Sequence, residues 1–135
     1  MLVLPSGQPL PNPYVWLHHH GFRELPPWSL IEDQASALAL RDEFLLEVEA
    51  PNPSLVRDWF PFARHQAQDD FAGFILVDGA ATGEVAIVHL TFKRRSELPG
   101  WPGMSRRPSF WVWFADVVDD TAEWCEGNFE DLEDG

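Results

Sequence analysis

Two apolar segments joined by a glycine-containing turn constrain the fold of this chain most strongly. FAGFILVD (71–78) and GEVAIVHL (83–90) each have the length and the aromatic and β-branched content of a β-strand, and DGAATG connects them. This pattern predicts a β-hairpin with a loop of about four to six residues. Because both strands are apolar on both faces, both faces of the sheet should be covered, with helices on one side.

Further strands are predicted upstream of this hairpin. RDWFPFA (57–63) is rich in aromatic residues, and its internal Pro61 favours an edge strand or a β-bulge. Trp28–Ile31 follows two prolines and has the character of a short strand or an extended segment. His89 alternates with apolar residues of the second hairpin strand, which predicts a strand residue with a local partner, and a ligand role is the lesser alternative.

Two helices are predicted in the first half of the chain. In NPYVWLHHHG, Asn12 can cap the helix, Pro13 suits its first position and Gly21 suits the left-handed residue after its end. The second helix begins after the capping residue Asp33, covers about residues 34–49 and is ended by the prolines of APNP. Its apolar stripe consists of Ala37, Leu38, Leu40, Phe44, Leu45 and Val48.

A third helix is predicted between a capping serine, Ser109, and a terminating glycine, Gly127. At about 100° per residue, its apolar residues share one arc that should face the core, and its acidic residues share the opposite arc. The apolar arc consists of Phe110, Trp113, Phe114, Val117, Thr121, Trp124 and Cys125. The acidic arc consists of Asp116, Asp119, Asp120 and Glu123.

The net charge of −13 limits the classes of molecule that the protein is expected to bind. Such a surface repels phosphate backbones, so a nucleic-acid partner is not expected. After Arg107 the chain carries acidic residues and no basic one. One stretch of the sequence before this point contains five basic residues: Lys93, Arg94, Arg95, Arg106 and Arg107. The acidic part is either a solvated surface or a docking face for a basic partner.

The sequence also predicts a cytoplasmic protein without a membrane partner. No apolar run reaches the length of a membrane span, and prolines interrupt the start, MLVLPSGQPLPNP, before the core of a signal peptide can form. The single cysteine, Cys125, excludes an internal disulfide.

The three consecutive histidines, His18 to His20, are the most conspicuous candidates for metal chemistry. Successive helical residues diverge by about 100°, so the three rings cannot converge on one ion. The His-x-x-x-His spacing of helical metal ligands is absent. We therefore predict a helix end, in which the histidines complement the helix dipole, with no metal and no other cofactor.

Residues for catalysis are sparse. Phosphate-binding glycine loops, a nucleophile elbow and paired-cysteine motifs are absent, and Cys125 lies on the predicted apolar arc, as a small core residue would. Asp69 and Asp70, near His65, are the best candidates for acid–base or metal chemistry, but adjacent carboxylates in a loop between strands are more often turn formers, and turn formation is favoured. The residues favour a protein without enzymatic activity, and a small hydrolase that uses these three is the alternative.

Two segments lack a regular pattern. KRRSELPGWPGMSRRP (93–108) predicts a long irregular loop of the kind that often carries function. Its Trp101 is either an anchor folded back on the domain, which is favoured because large aromatics are mostly buried, or an exposed contact. Residues 128–135 predict an acidic tail that follows a single folded domain, 1–127.

The order of these motifs resembles the SUKH superfamily, which contains the fungal Smi/Knr cell-wall regulator. WFPFA (59–63) is similar to the family's aromatic-x-Pro-Phe-Ala strand, and an acidic turn and the two hairpin strands follow it. SFWVWFADVV (109–118) is similar to the Ser-Phe-x-x-Trp-Leu opening of the family's last helix. PNPYVWLHHHGF lines up with a short helix that commonly ends in Asn-Gly-Gly, so the histidines stand at a divergent helix end.

The resemblance implies an α+β domain with a mostly antiparallel sheet flanked by helices, and no enzyme activity. Many bacterial members are immunity proteins that bind a cognate toxin, often a nuclease, and block it. We therefore expect a protein partner that is a basic toxin domain, with a regulatory interaction module of the Smi/Knr type as the alternative. The candidate interface is Asp116, Asp119, Asp120, Glu123 and Glu126, and the basic segment 93–107 is the other candidate.

Overall fold

The computed structural model describes residues 1–47, 56–90 and 103–127, and these residues form an α+β fold, as expected. The helices are α1 (Asn12–His19), α2 (Gln34–Glu47) and α3 (Phe110–Gly127). The strands are β1 (Glu24–Leu25), β2 (Trp28–Leu30), β3 (Trp59–His65), β4 (Asp70–Val77), β5 (Ala80–His89) and β6 (Gly103–Arg107). None of the helices described is long and apolar enough to cross a membrane.

The six strands form one sheet in which their order in space equals their order in the chain, and each neighbouring pair is antiparallel. The predicted hairpin is confirmed as β4 and β5, but its turn is tighter than expected. Only Asp78 and Gly79 separate the two strands, and both have positive φ angles, 52° and 81°. Asp-Gly suits this mirror-image turn because both residue types tolerate the left-handed region.

The position of β3 in the sheet distinguishes the two alternatives predicted for Pro61, an edge strand and a β-bulge. β3 lies between β2 and β4, so the edge-strand alternative is wrong. A register shift between Pro61 and Ala63 confirms the alternative of a β-bulge. The bulge lets an interior strand accommodate a residue that has no backbone N–H to donate to the ladder.

Part of the predicted irregular loop is a strand. Residues Gly103–Arg107 pair with β5, from His89 opposite Gly103 to Val85 opposite Arg107. The polar sequence GMSRR has no alternating pattern that would indicate a strand, so its conformation depends on the backbone groups that β5 offers. Trp101 and residues 93–102 lie outside the described residues.

Two apolar clusters cover the two faces of the sheet, as the apolar character of β4 and β5 predicts. The cross-strand partners Phe74 and Val85, on one face of the sheet, belong to a cluster that also contains core residues of α1 and α3. Trp59 and Val88 belong to a second cluster, which includes Phe44 of α2. Helices therefore help to cover both faces of the sheet, and the prediction of helices on one side only is wrong.

The predicted helix ends are mostly confirmed. The Asp33 carboxylate accepts the Ser36 N–H at 3.1 Å, and Ser109 Oγ accepts the Val112 N–H at 3.2 Å. Gly21 has the expected positive φ of 88°. Asn12 is not a cap but the first residue of α1, because Pro11 occupies the preceding position and no side chain caps this end.

The predicted apolar stripes of α2 and α3 are confirmed for some of their residues and wrong for others. Leu45 is exposed on α2, and Val48 lies outside the described residues. On α3, Trp124 is only partly buried and Cys125 is exposed. The prediction that Cys125 is a core residue is therefore wrong. No residue of α3 after Thr121 is buried within the described range, since this part of the helix extends past the packed core.

Tyr14 of α1 allows a direct test of this core, because it is the chain's single tyrosine. Its ring lies 5.9 Å from that of Phe62, and burial raises its pKa from 10.0 to about 12. The fold thus favours the neutral phenol; the stability this contributes is present below pH 10 and is lost as the pH rises towards 12. Absorbance titration of tyrosinate should give a midpoint well above that of the urea-unfolded chain, and equal midpoints would contradict the burial of Tyr14.

Candidate protein-binding surface

The outer side of α3 carries carboxylates on a helix whose inner side is fixed in the core. Phe110, Trp113 and Val117 are buried and anchor the helix. Asp119 and Glu123, on the opposite side, are exposed. Side chains displayed on an anchored helix lose less conformational freedom when a partner docks than side chains on a mobile segment would.

The five acidic residues of the candidate interface fall into two groups. Asp119, Glu123 and Glu126 are exposed. Asp116 and Asp120 are partly buried and interact with the chain itself: Asp116 forms an ion pair with Arg107 of β6, and Asp120 accepts a hydrogen bond from the Trp28 indole N–H at 2.9 Å. The expectation that Asp120 lies on the outer arc is therefore wrong, because this carboxylate turns towards β2.

The same contacts explain the position of α3 over the sheet. The Arg107–Asp116 ion pair ties the helix to β6, and the Trp28–Asp120 hydrogen bond ties it to β2. Thr121 Oγ1 adds a hydrogen bond to the Leu25 carbonyl oxygen of β1 at 3.3 Å. Together these contacts orient the helix so that Asp119, Glu123 and Glu126 face solvent.

The described part of the basic segment has acidic partners within the chain. Arg106 forms an ion pair with Glu84 of β5, and Arg107 forms one with Asp116. Lys93, Arg94 and Arg95 lie outside the described residues. Within the described residues, the two arginines of the alternative basic interface, Arg106 and Arg107, are therefore already paired with carboxylates of the chain.

A shallow cleft between α1 and α3 was not predicted. It is about 340 Å³ in volume and is lined by Asn12, Pro13, Trp16 and Trp111. The two indoles are 55% and 48% exposed, respectively, although tryptophan is usually mostly buried. One sequence signal was available, because Trp111 is a large aromatic residue that does not belong to the apolar arc of its helix.

The three histidines contact different neighbours, and the rings of His19 and His20 also contact each other, at 5.6 Å between centroids. His18 Nε2 lies 3.2 Å from Glu32 Oε2, and its ring is near that of Tyr14, at 6.0 Å between centroids. His20 stacks on Trp16 at 4.0 Å, and its Nδ1 lies 2.8 Å from the Trp16 carbonyl oxygen. His18 and His20 therefore point to different parts of the chain, and no group of three potential metal ligands occurs among residues 1–47, 56–90 and 103–127.

The candidate acid–base residues are not joined into one hydrogen-bonded group. The Nδ1 atom of His65 accepts the Ala67 N–H at 3.2 Å, and its ring contacts Trp28. Asp70 instead pairs with His89 on the neighbouring strand at 2.8 Å, which confirms the local partner predicted for His89. The exposed Asp69 lies in the turn between β3 and β4, as the turn-forming alternative predicts.

Comparison with known proteins finds no matching family model, no matching curated protein and no matching solved structure.

Proposed function

We propose that this chain is a non-catalytic, cytoplasmic immunity protein that binds a basic toxin domain and blocks it by stoichiometric occlusion. The observation that carries the proposal is the set of exposed carboxylates on α3: Asp119, Glu123 and Glu126. The resemblance of the sequence motifs to the SUKH superfamily supports the toxin as the class of partner. The separate contacts of His65 and Asp70 support a role without catalysis.

Electrostatics explains how such a surface would act. A chain of net charge −13 attracts a basic protein at long range, and a local concentration of carboxylates orients it. Steered association of this kind reaches about 10⁸ M⁻¹s⁻¹ at low ionic strength. The attraction is screened over about 8 Å at physiological salt, so the association rate should fall steeply as salt is added.

The test of this function uses the genomic neighbourhood of the chain. The partner is sought as the C-terminal domain of a large secreted protein encoded next to it. That domain should arrest growth when expressed alone, co-expression of this chain should restore growth, and the two proteins should form a one-to-one complex. A neighbouring toxin that is neither bound nor neutralised overturns the proposal; binding to a non-toxic regulator would assign the chain to the Smi/Knr type of interaction module.

The contribution of the acidic face is tested in the same complex. A variant with Asp119→Asn, Glu123→Gln and Glu126→Gln should associate about 10-fold more slowly at low salt and depend less on salt. The matched control removes the same number of charges from exposed aspartates elsewhere: Asp42→Asn, Asp69→Asn and Asp78→Asn. Stopped-flow kinetics that show the same rate loss in both variants would indicate a general charge effect and not an interface on α3.

A further inference from the structure

The exposed half of α3 carries two parallel stripes of different chemistry. Trp111, Ala115, Val118 and Ala122 recur at helical spacing and are all exposed, and Val118 is 48% accessible. Asp119, Glu123 and Glu126 form the second stripe, displaced around the helix from the first. Monomeric proteins rarely expose large contiguous apolar patches, so an apolar stripe along an exposed helix face needs an explanation.

The apolar stripe continues into the cleft between α1 and α3. Trp111, the first residue of the stripe, lines this cleft together with Trp16, Pro13 and Asn12. Trp16 is held in place by its stack on His20, and the ring of Trp111 contacts those of Phe110 and Phe114. Exposed indoles that are ordered in this way lose little side-chain entropy on binding, as is typical of residues that dominate interface energies.

We infer that this cleft is the anchor pocket for the basic partner and takes one large apolar side chain from it. The choice of an apolar side chain follows from the lining, which among the described residues contains no carboxylate that could neutralise a buried cation. The choice of a basic partner follows from the adjacent acidic stripe. The inference rests on the proposed function, because it names how the same surface would recognise its partner.

Helix geometry sets the expected spacing of the partner's residues. At a rise of about 1.5 Å per residue, the carboxylates of the acidic stripe lie roughly 12 to 22 Å along α3 from Trp111. The recognised segment should therefore place lysine or arginine within this distance of a leucine, phenylalanine or tryptophan. The apolar anchor supplies affinity, and the flanking cations supply the orientation along the helix.

The test selects peptides from a phage-displayed library of random sequences on the immobilised full chain. A consensus peptide is then synthesised, and its binding is measured by calorimetry. We expect peptides that combine one large apolar residue with flanking basic residues, and we expect the double variant Trp16→Ser, Trp111→Ser to weaken binding at least about 10-fold. The control variant, Leu46→Ser with Val77→Ser, removes exposed apolar residues elsewhere and should bind as the parent does.

The outcomes distinguish a failure of the anchor pocket from a failure of the proposed immunity function. Peptides that bind the Trp16, Trp111 double variant as tightly as the parent, or that lack a shared apolar residue, overturn the anchor pocket. Loss of a dimer in the double variant, measured by sedimentation, would identify a second copy of this chain as the occupant and would also overturn it. If peptides bind at the cleft but the neighbouring toxin is not neutralised, the pocket stands and the immunity function fails.

Discussion

Replacing Gly73 with alanine is expected to destabilise the fold by about 3 kcal/mol, at the upper end of the range for overpacking a core. Gly73 lies in the middle of β4, opposite Pro61 on β3 and Ala86 on β5. A Cβ atom there would stand 2.7 Å from the Phe60 carbonyl oxygen and closer still to the indole of Trp59.

Neither neighbour can give way at low cost. Trp59 is fully buried, its ring lies 5.1 Å from that of Phe44, and its N–H donates to the Ala86 carbonyl oxygen at 3.1 Å. Moving the indole would break this hydrogen bond and open the cluster under α2. The Phe60 carbonyl belongs to the backbone of an interior strand and is equally constrained.

Urea denaturation of Gly73→Ala should show a lower midpoint with an unchanged slope. Gly103→Ala is the matched control, because it is also a strand glycine but, among the described residues, its added Cβ would meet only His89 Cβ, at an ordinary 3.6 Å. This control should change the free energy of unfolding by less than about 0.5 kcal/mol. A loss below about 1 kcal/mol for Gly73→Ala would show that the sheet accommodates the methyl group by shifting.

Replacing Trp113 with alanine is expected to destabilise the fold by about 3–5 kcal/mol, the usual range for truncating a buried aromatic side chain. Trp113 is 1% exposed and anchors α3 to the sheet. Its ring makes edge-on contacts with those of Phe62 at 4.9 Å and Trp28 at 5.7 Å. Alanine would leave a cavity between the helix and two strands.

Trp113→Phe separates the effect of volume from that of polarity. The Trp113 indole N–H is buried and has no hydrogen-bond partner within the described residues, so phenylalanine removes an unsatisfied donor while it keeps most of the ring. Thermal or urea unfolding should place Trp113→Phe well above Trp113→Ala. Trp124→Ala, at a partly exposed position of the same helix, should be less destabilising than Trp113→Ala, and the reverse order would refute the orientation of α3.

Much of the secondary structure could be predicted because its signals are local. The caps at Asp33 and Ser109 are bonds to residues three positions on in the chain, so the sequence alone contains both partners. The apolar character of β4 and β5 on both faces indicated a sheet covered on both sides. The tight turn at Asp78 and Gly79 was one exception, since the strand ends depend on cross-strand pairing.

The candidate site could be predicted only in part. The acidic residues of α3 were found from helical periodicity, yet Asp119 and Asp120 are neighbours with different roles. Asp120 is drawn to the Trp28 indole of β2, and Asp119 is left in solvent. Periodicity gives an angle around the helix, but it does not say which distant strand lies beside each angle.

By itself, the sequence determined the hairpin, the helix caps at Asp33 and Ser109 and the concentration of negative charge after Arg107, whereas the α+β class was an expectation from the family resemblance. These features depend on composition or on residues a few positions apart. Only the tertiary structure decided that GMSRR is a strand, that Cys125 is exposed and that Trp16 and Trp111 share a cleft. Each of these depends on where separate elements come to lie, because burial, strand pairing and pockets are properties of contacts between segments that are distant in the chain.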